Sequence, residues 1–214
     1  MSRARGTFVV LEGGDGVGKS TQLSLLCDWL EARGERVVRT FEPGDTAVGQ
    51  QIRRLVLDPA TGELSARAEA LLYAADKAQH VDTVIRPALQ SGAVVVSDRY
   101  VDSMIAYQGA GRAMSPAEVE EVARWATEHL HPDLTVVLDS EPGRAVGVIS
   151  DKDRLEGAGD VFHQRVRQHF LTLAARDPDR YLVLDASRSR ADLAADIQAR
   201  VAELLSYRPD TLAR

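Results

Sequence analysis

Short apolar runs alternate with longer helical patterns along the whole chain, and this alternation most constrains the fold. The apolar runs are rich in β-branched and aromatic residues and mostly continuous, which is typical of strands covered on both faces. We predict strands at residues 8–11, 36–41, 93–97, 134–138 and 181–184. We predict helices at 19–33, 47–57, 66–90, 160–176 and 191–205, two more within 101–128, and one from residue 143. Strands that alternate with helices predict an α/β fold, a five-stranded parallel sheet with helices on both faces.

Size and composition limit the class of protein. A length of 214 residues predicts one domain, which we place at 1–206, followed by a flexible tail at 207–214 that has no hydrophobic periodicity. A net charge of −6 argues against duplex nucleic acid as a partner. No apolar run approaches the roughly 18 residues that cross a membrane, so we expect a cytoplasmic protein with no membrane partner. The single Cys27 cannot form an intrachain disulfide, and the histidines lack zinc-site spacing.

A glycine-rich segment follows the first predicted strand and opens the first predicted helix. Its sequence, Gly-Gly-Asp-Gly-Val-Gly-Lys-Ser at 13–20, satisfies the phosphate-binding loop (P-loop) pattern G-x-x-x-x-G-K-[ST]. The glycines allow backbone N–H groups to converge on phosphate oxygens, and the helix N-terminus adds partial positive charge. Lys19 can reach the β and γ phosphates, and Ser20 can supply a hydroxyl to Mg²⁺. The predicted phosphate-binding residues are Gly13, Gly16, Gly18, Lys19, Ser20 and Thr21.

The third predicted strand ends in Ser-Asp-Arg at 97–99. It resembles a Walker-B segment, which would place Asp98 beside the P-loop, where it can hold magnesium or a water of its shell. An apolar run that ends in aspartate is common, so this signal depends on the P-loop for its meaning. Arg99 can hold a second phosphate at the carboxyl edge of the sheet. Two phosphate sites indicate phosphoryl transfer between nucleotides.

Several blocks, in order and spacing, resemble the thymidylate kinase family of P-loop nucleoside monophosphate kinases. The blocks are residues 12–21, 42–46, 69–77, 98–100, 106–109, 132–135 and 153–156. The resemblance implies a P-loop kinase fold with a short lid, MgATP as the phosphoryl donor, dTMP as the acceptor, dTDP and ADP as products, and a homodimer. It implies no covalent nucleophile, because an acceptor phosphate oxygen attacks the γ-phosphoryl group directly.

The resemblance also implies which residues bind the acceptor. Asp15 would approach the sugar hydroxyl or the phosphate of the acceptor, and Arg99 would bind its phosphate. Tyr73 would stack on the base, Tyr107 would pack beneath the deoxyribose and disfavour a 2′-hydroxyl, and Gln108 would lie near base and sugar. The alternative is that the two tyrosines are only half-buried helix aromatics.

Three positions of the predicted acceptor site depart from the family pattern. Phe41 and Glu42, at the end of the second predicted strand, are also predicted to bind the acceptor, and Phe41 stands where the family often has an arginine that reaches the acceptor phosphate. Lys77 replaces an arginine that hydrogen-bonds the thymine carbonyl, and Met104 replaces a polar residue near the base. A modified or different nucleoside monophosphate therefore stays open as the acceptor.

The family takes a catalytic arginine from the P-loop or from the lid. Gly16 occupies the P-loop position, so the resemblance assigns the role to Arg154 in a lid at about 150–160. The segment could instead be a solvated loop in which Arg154 only pairs with nearby carboxylates. The predicted catalytic residues are thus Lys19, Arg99 and Arg154.

Two other classes compete with a kinase. The missing arginines are compatible with a non-catalytic nucleotide-binding homologue, although the P-loop lysine and the metal carboxylate are intact. A P-loop switch or motor NTPase would hydrolyse ATP without an acceptor. The acceptor block at 98–108 argues against that class.

Overall fold

Five parallel strands form one sheet in the order β2-β3-β1-β4-β5. The structure is a computed structural model that describes residues 5–112, 114–142 and 159–206. The strands are β1 (Thr7–Gly13), β2 (Val37–Phe41), β3 (Val94–Asp98), β4 (Leu134–Asp139) and β5 (Tyr181–Asp185). They coincide with the predicted runs except at their ends, and every neighbouring pair is parallel. The predicted five-stranded parallel sheet is confirmed.

Helices connect the strands. In the described residues they are α1 (Lys19–Ala32), α2 (Ala47–Leu57), α3 (Ala66–His80), α4 (Arg86–Gln90), α5 (Val101–Met104), α6 (Pro116–Ala126), α7 (Asp160–Arg176) and α8 (Arg190–Ser206). A π-helical segment, Val81–Ile85, joins α3 to α4, so the predicted helix 66–90 is one continuous helical run. A second π-helical segment, Ile105–Gly111, extends α5. None of these described helices is long and apolar enough to cross a membrane.

Three predictions fall on parts of the chain beyond the described residues. They are the helix from residue 143, the lid at about 150–160 except for its last two positions, and the tail at 207–214. Arg154 belongs to the second of these segments and lies outside the described residues.

Alternate side chains of β1 are buried on opposite faces of the sheet. Val9 and Leu11 pack in a cluster with α1 and α8, whereas Phe8 and Val10 pack in a cluster on the other face with the Val81–Ile85 segment and α4. Successive side chains of a strand point to opposite faces, so a continuous apolar run is what a sheet covered on both sides requires. The central strand β1 is buried along its whole length.

The register brings the functional segments to one edge of the sheet. Leu11 of β1 and Phe41 of β2 both pair with Asp98 of β3. The P-loop after β1 therefore begins beside the end of β3. Ligands of open parallel sheets bind at this carboxyl edge, and most of the predicted site residues belong to the segments that leave it.

Candidate active site

Three glycines of the P-loop adopt backbone dihedral angles that other residues rarely adopt. Gly13, Gly16 and Gly18 have φ of +135°, +73° and +97°, in the region that favours glycine. A Cβ at Gly13 would lie 2.5 Å from the carbonyl oxygen of Leu138, so this position also needs the absence of a side chain. These backbone conformations are compatible with a loop whose N–H groups face an anion.

Lys19 lies across its own loop. Its Nζ donates to the carbonyl oxygens of Gly13 at 3.1 Å and Gly14 at 2.6 Å. Burial and, to a smaller extent, the neighbouring Arg99 guanidinium lower the pKa of Lys19 to about 8, although the Asp15 carboxylate opposes the change. A phosphate bound in the loop would replace the carbonyl partners with negative charge.

Ser20 and Asp98 form the polar pair that the sequence predicts for a metal. The Oγ of Ser20 donates to Oδ2 of Asp98 at 3.0 Å. Oδ1 of Asp98 is buried, and no group in the described part of the chain bonds it. Magnesium prefers oxygen ligands and is commonly held by one or two carboxylates together with substrate phosphates. An unpartnered carboxylate oxygen beside a P-loop hydroxyl fits that requirement.

Arg99 connects the P-loop to the acceptor residues. Its guanidinium donates to the carbonyl oxygen of Gly13 at 3.1 Å and to Oγ of Ser103 at 2.9 Å, and it forms an ion pair with Asp15. Its Cζ lies 5.1 Å from the centre of the Tyr107 ring, and the hydroxyl of Tyr107 donates to the other oxygen of Asp15 at 3.1 Å. Arg99, Asp15 and Tyr107 are therefore one hydrogen-bonded group.

The charge state of Asp15 follows from this group. Burial raises the pKa of the carboxyl, but the positive charges of Arg99 and Lys19 and the hydrogen bond from Tyr107 together lower it below its usual value. Asp15 is thus ionised at neutral pH and can accept a hydrogen bond from a sugar hydroxyl.

The predicted acceptor residues line one cavity of 160 Å³, apart from Phe41. Those that line it are Asp15, Glu42, Tyr73, Lys77, Arg99, Met104, Tyr107 and Gln108. A second cavity of 610 Å³ lies along the P-loop and includes Lys19, Ser20, Phe41 and Asp98. Asp15, Glu42, Arg53 and Arg99 line both cavities. The structure therefore brings the donor and acceptor residues of the sequence prediction together, with Arg99 at the junction.

Arg53 is a site residue that the sequence reasoning missed. Its Nη1 donates to the carbonyl oxygen of Pro43 at 2.7 Å, and its Cζ lies 5.8 Å from the centre of the Phe41 ring. Arg53 thus places a positive charge next to Phe41, which stands where the family pattern often has an arginine. Helical spacing could have indicated this, because Arg53 lies one turn after Gly49 on α2, on the side that faces the loop before the helix.

Lys77 is engaged in a buried ion pair at the base of the acceptor cavity. It is 2% exposed and pairs with Glu42, whose other oxygen lies 2.8 Å from Nδ1 of His80. Burial raises the pKa of Glu42, but Lys77 and His80 outweigh this and lower it below its usual value. The partner of Lys77 in this structure is therefore a carboxylate of the chain itself.

Glu12 was also missed as an organising residue. It is 0% exposed and accepts hydrogen bonds from the backbone N–H groups of Tyr100 at 2.8 Å and Ser103 at 3.1 Å. Its second oxygen accepts from Oγ of Ser103 at 2.6 Å. Glu12 therefore fixes the start of α5 to the end of β1, which places Arg99 beside the P-loop.

The fold and the site define a class. A P-loop at the carboxyl edge of a parallel sheet, a hydroxyl–carboxylate pair beside it, and an adjoining cavity that shares an arginine with the loop define a P-loop kinase. This is the predicted class of enzyme.

Comparison with known proteins identifies the family within this class. The family model for thymidylate kinase matches residues 11–197. The chain is 61% identical to a thymidylate kinase of Cutibacterium acnes, over 94% of this chain and 98% of that protein. It is 53% identical to one of Clavibacter sepedonicus, over 94% and 97%. The crystal structure of thymidylate kinase from Ehrlichia chaffeensis superposes with a TM-score of 0.74 at 28% identity, over 94% of this chain and 99% of that one.

The chain belongs to the thymidylate kinase family and is a nucleoside monophosphate kinase. The predictions of family, fold class and enzyme class are confirmed.

Proposed function

We propose that the chain transfers the γ-phosphoryl group of ATP to dTMP, with Mg²⁺, and gives ADP and dTDP. Family membership supports this reaction. The main support for the residue assignments is that the two cavities adjoin. Arg99 and Asp15 line both the cavity along the P-loop and the cavity of the predicted acceptor residues. Two phosphates that meet at this junction would be in position for direct transfer, in which alignment and charge supply the catalysis.

On the donor side, Lys19 exchanges its loop carbonyl partners for the β and γ phosphates of ATP. The backbone N–H groups of the P-loop and the N-terminus of α1 add positive potential. Ser20 and Asp98 are the residues that would hold Mg²⁺, which neutralises phosphate charge in such reactions. The roles of these groups are electrostatic, and no side chain forms a covalent bond to the substrate.

On the acceptor side, Arg99 and Arg53 flank the place where the acceptor phosphate would lie, because both line the two cavities. Arg53 therefore supplies the cation that Phe41 does not. Tyr73 and Tyr107 line the same cavity as Gln108 and would contact the base and the sugar.

The alternatives are a modified or different acceptor and a non-catalytic protein. The acceptor alternative is motivated by Lys77 and Met104, which line the cavity where the base would bind. The non-catalytic alternative is disfavoured because Lys19, Ser20, Asp98 and Arg99 all lie around the same loop with intact contacts.

The test is a coupled ADP-release assay with MgATP and a panel of dTMP, dUMP, UMP, dCMP, CMP, AMP and GMP, with Lys19→Ala as the blank. We expect the highest kcat/KM for dTMP. A higher value for another monophosphate would overturn the acceptor assignment, and no transfer to any of them would support the non-catalytic alternative. ADP release that no monophosphate changes would indicate an NTPase.

We propose that two copies of the chain associate through the groove between α3 and α6. The groove is lined by the apolar side chains Ala70, Leu71, Met114, Val119 and Val122, and Leu71 is 60% exposed. Arg67 and Glu118 also line it. In a two-fold interface each surface meets itself, so Arg67 of one copy can pair with Glu118 of the other while the apolar centres are buried.

The association is tested by light scattering coupled to gel filtration. Leu71→Glu should give monomers, and Val161→Glu, on a side chain of α7 that is 64% exposed, should leave the dimer intact. A wild-type monomer would refute the proposal. The cytoplasmic location stays a prediction.

A further inference from the structure

Glu69 holds a buried amide and an arginine behind the acceptor cavity. The side chain of Glu69 is completely buried, and its Oε1 accepts from Nε2 of Gln108 at 3.1 Å. Arg112 binds both oxygens of the same carboxylate, at 3.1 Å through Nε and at 3.0 Å through Nη2. Gln108, itself 1% exposed, lines the acceptor cavity together with Tyr73 and Met104.

These contacts determine which way the Gln108 amide faces. Both oxygens of the Glu69 carboxylate accept from Arg112, so this group has no hydrogen to donate and the NH₂ end of the amide must face it. The carbonyl end, Oε1, is then the atom that can accept from a ligand in the cavity. The NH₂ group has a second hydrogen, so Gln108 can present an acceptor and a donor side by side.

We propose that Glu69 is a positioning residue that makes the acceptor site select a base with a protonated ring nitrogen next to a carbonyl. This inference rests on the proposed function. Thymine and uracil offer N3–H and an adjacent carbonyl oxygen, which complement Oε1 and the free N–H of Gln108. Cytosine offers an unprotonated N3 next to an amino group, so it needs the amide turned by 180°.

Glu69 opposes that turn. A turned amide would direct Oε1 of Gln108 at the Glu69 carboxylate, which has no hydrogen to donate. Two acceptors would then face each other in a buried place, and an unsatisfied buried polar group is costly. Arg112 contributes by holding both carboxylate oxygens, which prevents the carboxylate from rotating with the amide. Cytosine is thus disfavoured because its binding would require two hydrogen-bond acceptors to face each other. Specific sites commonly use such unfavourable contacts against the wrong ligand.

The experiment compares kcat/KM for dTMP with kcat/KM for dCMP in the wild type and in Glu69→Gln. A glutamine at 69 can both donate and accept, so the Gln108 amide can turn. We expect the ratio of kcat/KM for dTMP to kcat/KM for dCMP to fall by about tenfold or more. A site whose hydrogen-bonding groups are fixed discriminates strongly between bases, whereas an amide that can turn accepts both. The control is Glu121→Gln, the same change at an exposed position on α6, which should leave the ratio unchanged.

A second pair of variants separates positioning from structure. In a Gln108→Met background the amide is gone, so Glu69→Gln should no longer change the ratio. Arg112→Lys keeps the charge and loses the two-point contact, so the ratio should fall in the same direction by less. Thermal unfolding identifies the variants that fold. If Glu69→Gln does not fold, the ratio measured for Arg112→Lys decides the outcome.

Equal losses of kcat/KM for both substrates, with an unchanged ratio in the folded variants, would overturn the positioning role. A wild type that does not phosphorylate dTMP would overturn the proposed function instead. The two failures are therefore distinguishable in one set of measurements.

Discussion

The Oγ of Ser20 donates a hydrogen bond to Oδ2 of Asp98 across 3.0 Å, and this bond joins the first turn of α1 to the end of β3. Asp98→Asn keeps an acceptor for Ser20 but removes the charge that would bind Mg²⁺. We expect kcat to fall by about 10²-fold or more and the Mg²⁺ concentration for half-maximal rate to rise. A Mg²⁺ titration at fixed ATP measures this. Asp28→Asn, at a side chain that is 72% exposed, is the control, and an unchanged Mg²⁺ requirement in Asp98→Asn would refute the metal assignment.

Lys19 should make nucleotide binding depend on pH. Its pKa is lowered to about 8, chiefly by burial, so in the free protein it loses its proton above pH 8. The affinity for a non-hydrolysable ATP analogue should therefore fall between pH 7 and pH 9.5, while Lys19→Arg should bind with little pH dependence in this range. Titration calorimetry at several pH values checks this. Constant wild-type affinity up to pH 9.5 would contradict it.

The same group affects stability with the opposite trend. The pKa of Lys19 is about 8 in the folded chain against an ordinary value of 10.5, so the unfolded chain binds more protons between these values. Stability from this group alone therefore rises with pH across that window. Lys19→Met should remove this rise, which urea unfolding at pH 7.5 and pH 10 measures.

Arg99→Lys keeps a positive charge but loses the planar fork that contacts Gly13, Ser103 and Asp15. We expect kcat/KM for dTMP to fall by about 10²-fold, with little change in the affinity for MgATP. Arg188→Lys, an exposed arginine that pairs with Asp196, should have wild-type kinetics. If Arg99→Lys changed only the affinity for MgATP, the assignment of Arg99 to the acceptor phosphate would be wrong.

Lys77→Met should destabilise the protein. It leaves the buried Glu42 without its lysine partner and with the contact to Nδ1 of His80, and removal of one member of a buried ion pair typically costs about 3–5 kcal/mol. The double variant Lys77→Met with Glu42→Gln should recover part of the loss, because no unpaired charge remains. Urea unfolding measures both variants. A loss below about 1 kcal/mol in the single variant would mean that the pair has the small energy typical of exposed ion pairs.

Arg154, which lies outside the described residues, is predicted to stabilise the transition state. Arg154→Ala should lower kcat by about 10³ to 10⁵, the range of arginine fingers, with a smaller effect on KM for dTMP. Arg188→Ala is the control. Steady-state kinetics with dTMP as the varied substrate separates the two effects, and a change confined to KM would assign Arg154 to binding alone.

The sheet and the P-loop were predictable because local sequence encodes both. Continuous β-branched runs such as that of β3 are typical of strands buried on both faces, and the glycines of the P-loop occupy the backbone conformations that glycine permits. The strand order did not follow from the residues, since periodicity defines elements and not their neighbours. Asp98 and Arg99 were predictable because the end of a parallel strand is a defined place at one edge of the sheet.

Two of the residues that sequence reasoning missed, Glu12 and Glu69, act through partners far along the chain. Glu12 binds Tyr100 and Ser103, and Glu69 binds Gln108. Such contacts depend on how helices pack, which no spacing within one helix reveals. Lys77 illustrates the same limit. The resemblance places it near the base, and the structure pairs it with Glu42, because the helix that carries it packs against the loop after β2.

The three hydrogen bonds that Glu12 accepts from Tyr100 and Ser103 have a consequence for the energetics of the reaction. They tie the strand that precedes the P-loop to the segment that begins after Arg99, the arginine that we propose binds the acceptor phosphate. The separation of these two proposed phosphate-binding groups is thus set when the chain folds, so little of their orientational entropy would be lost when the substrates bind. This part of the site is organised by the fold itself and not by the substrates.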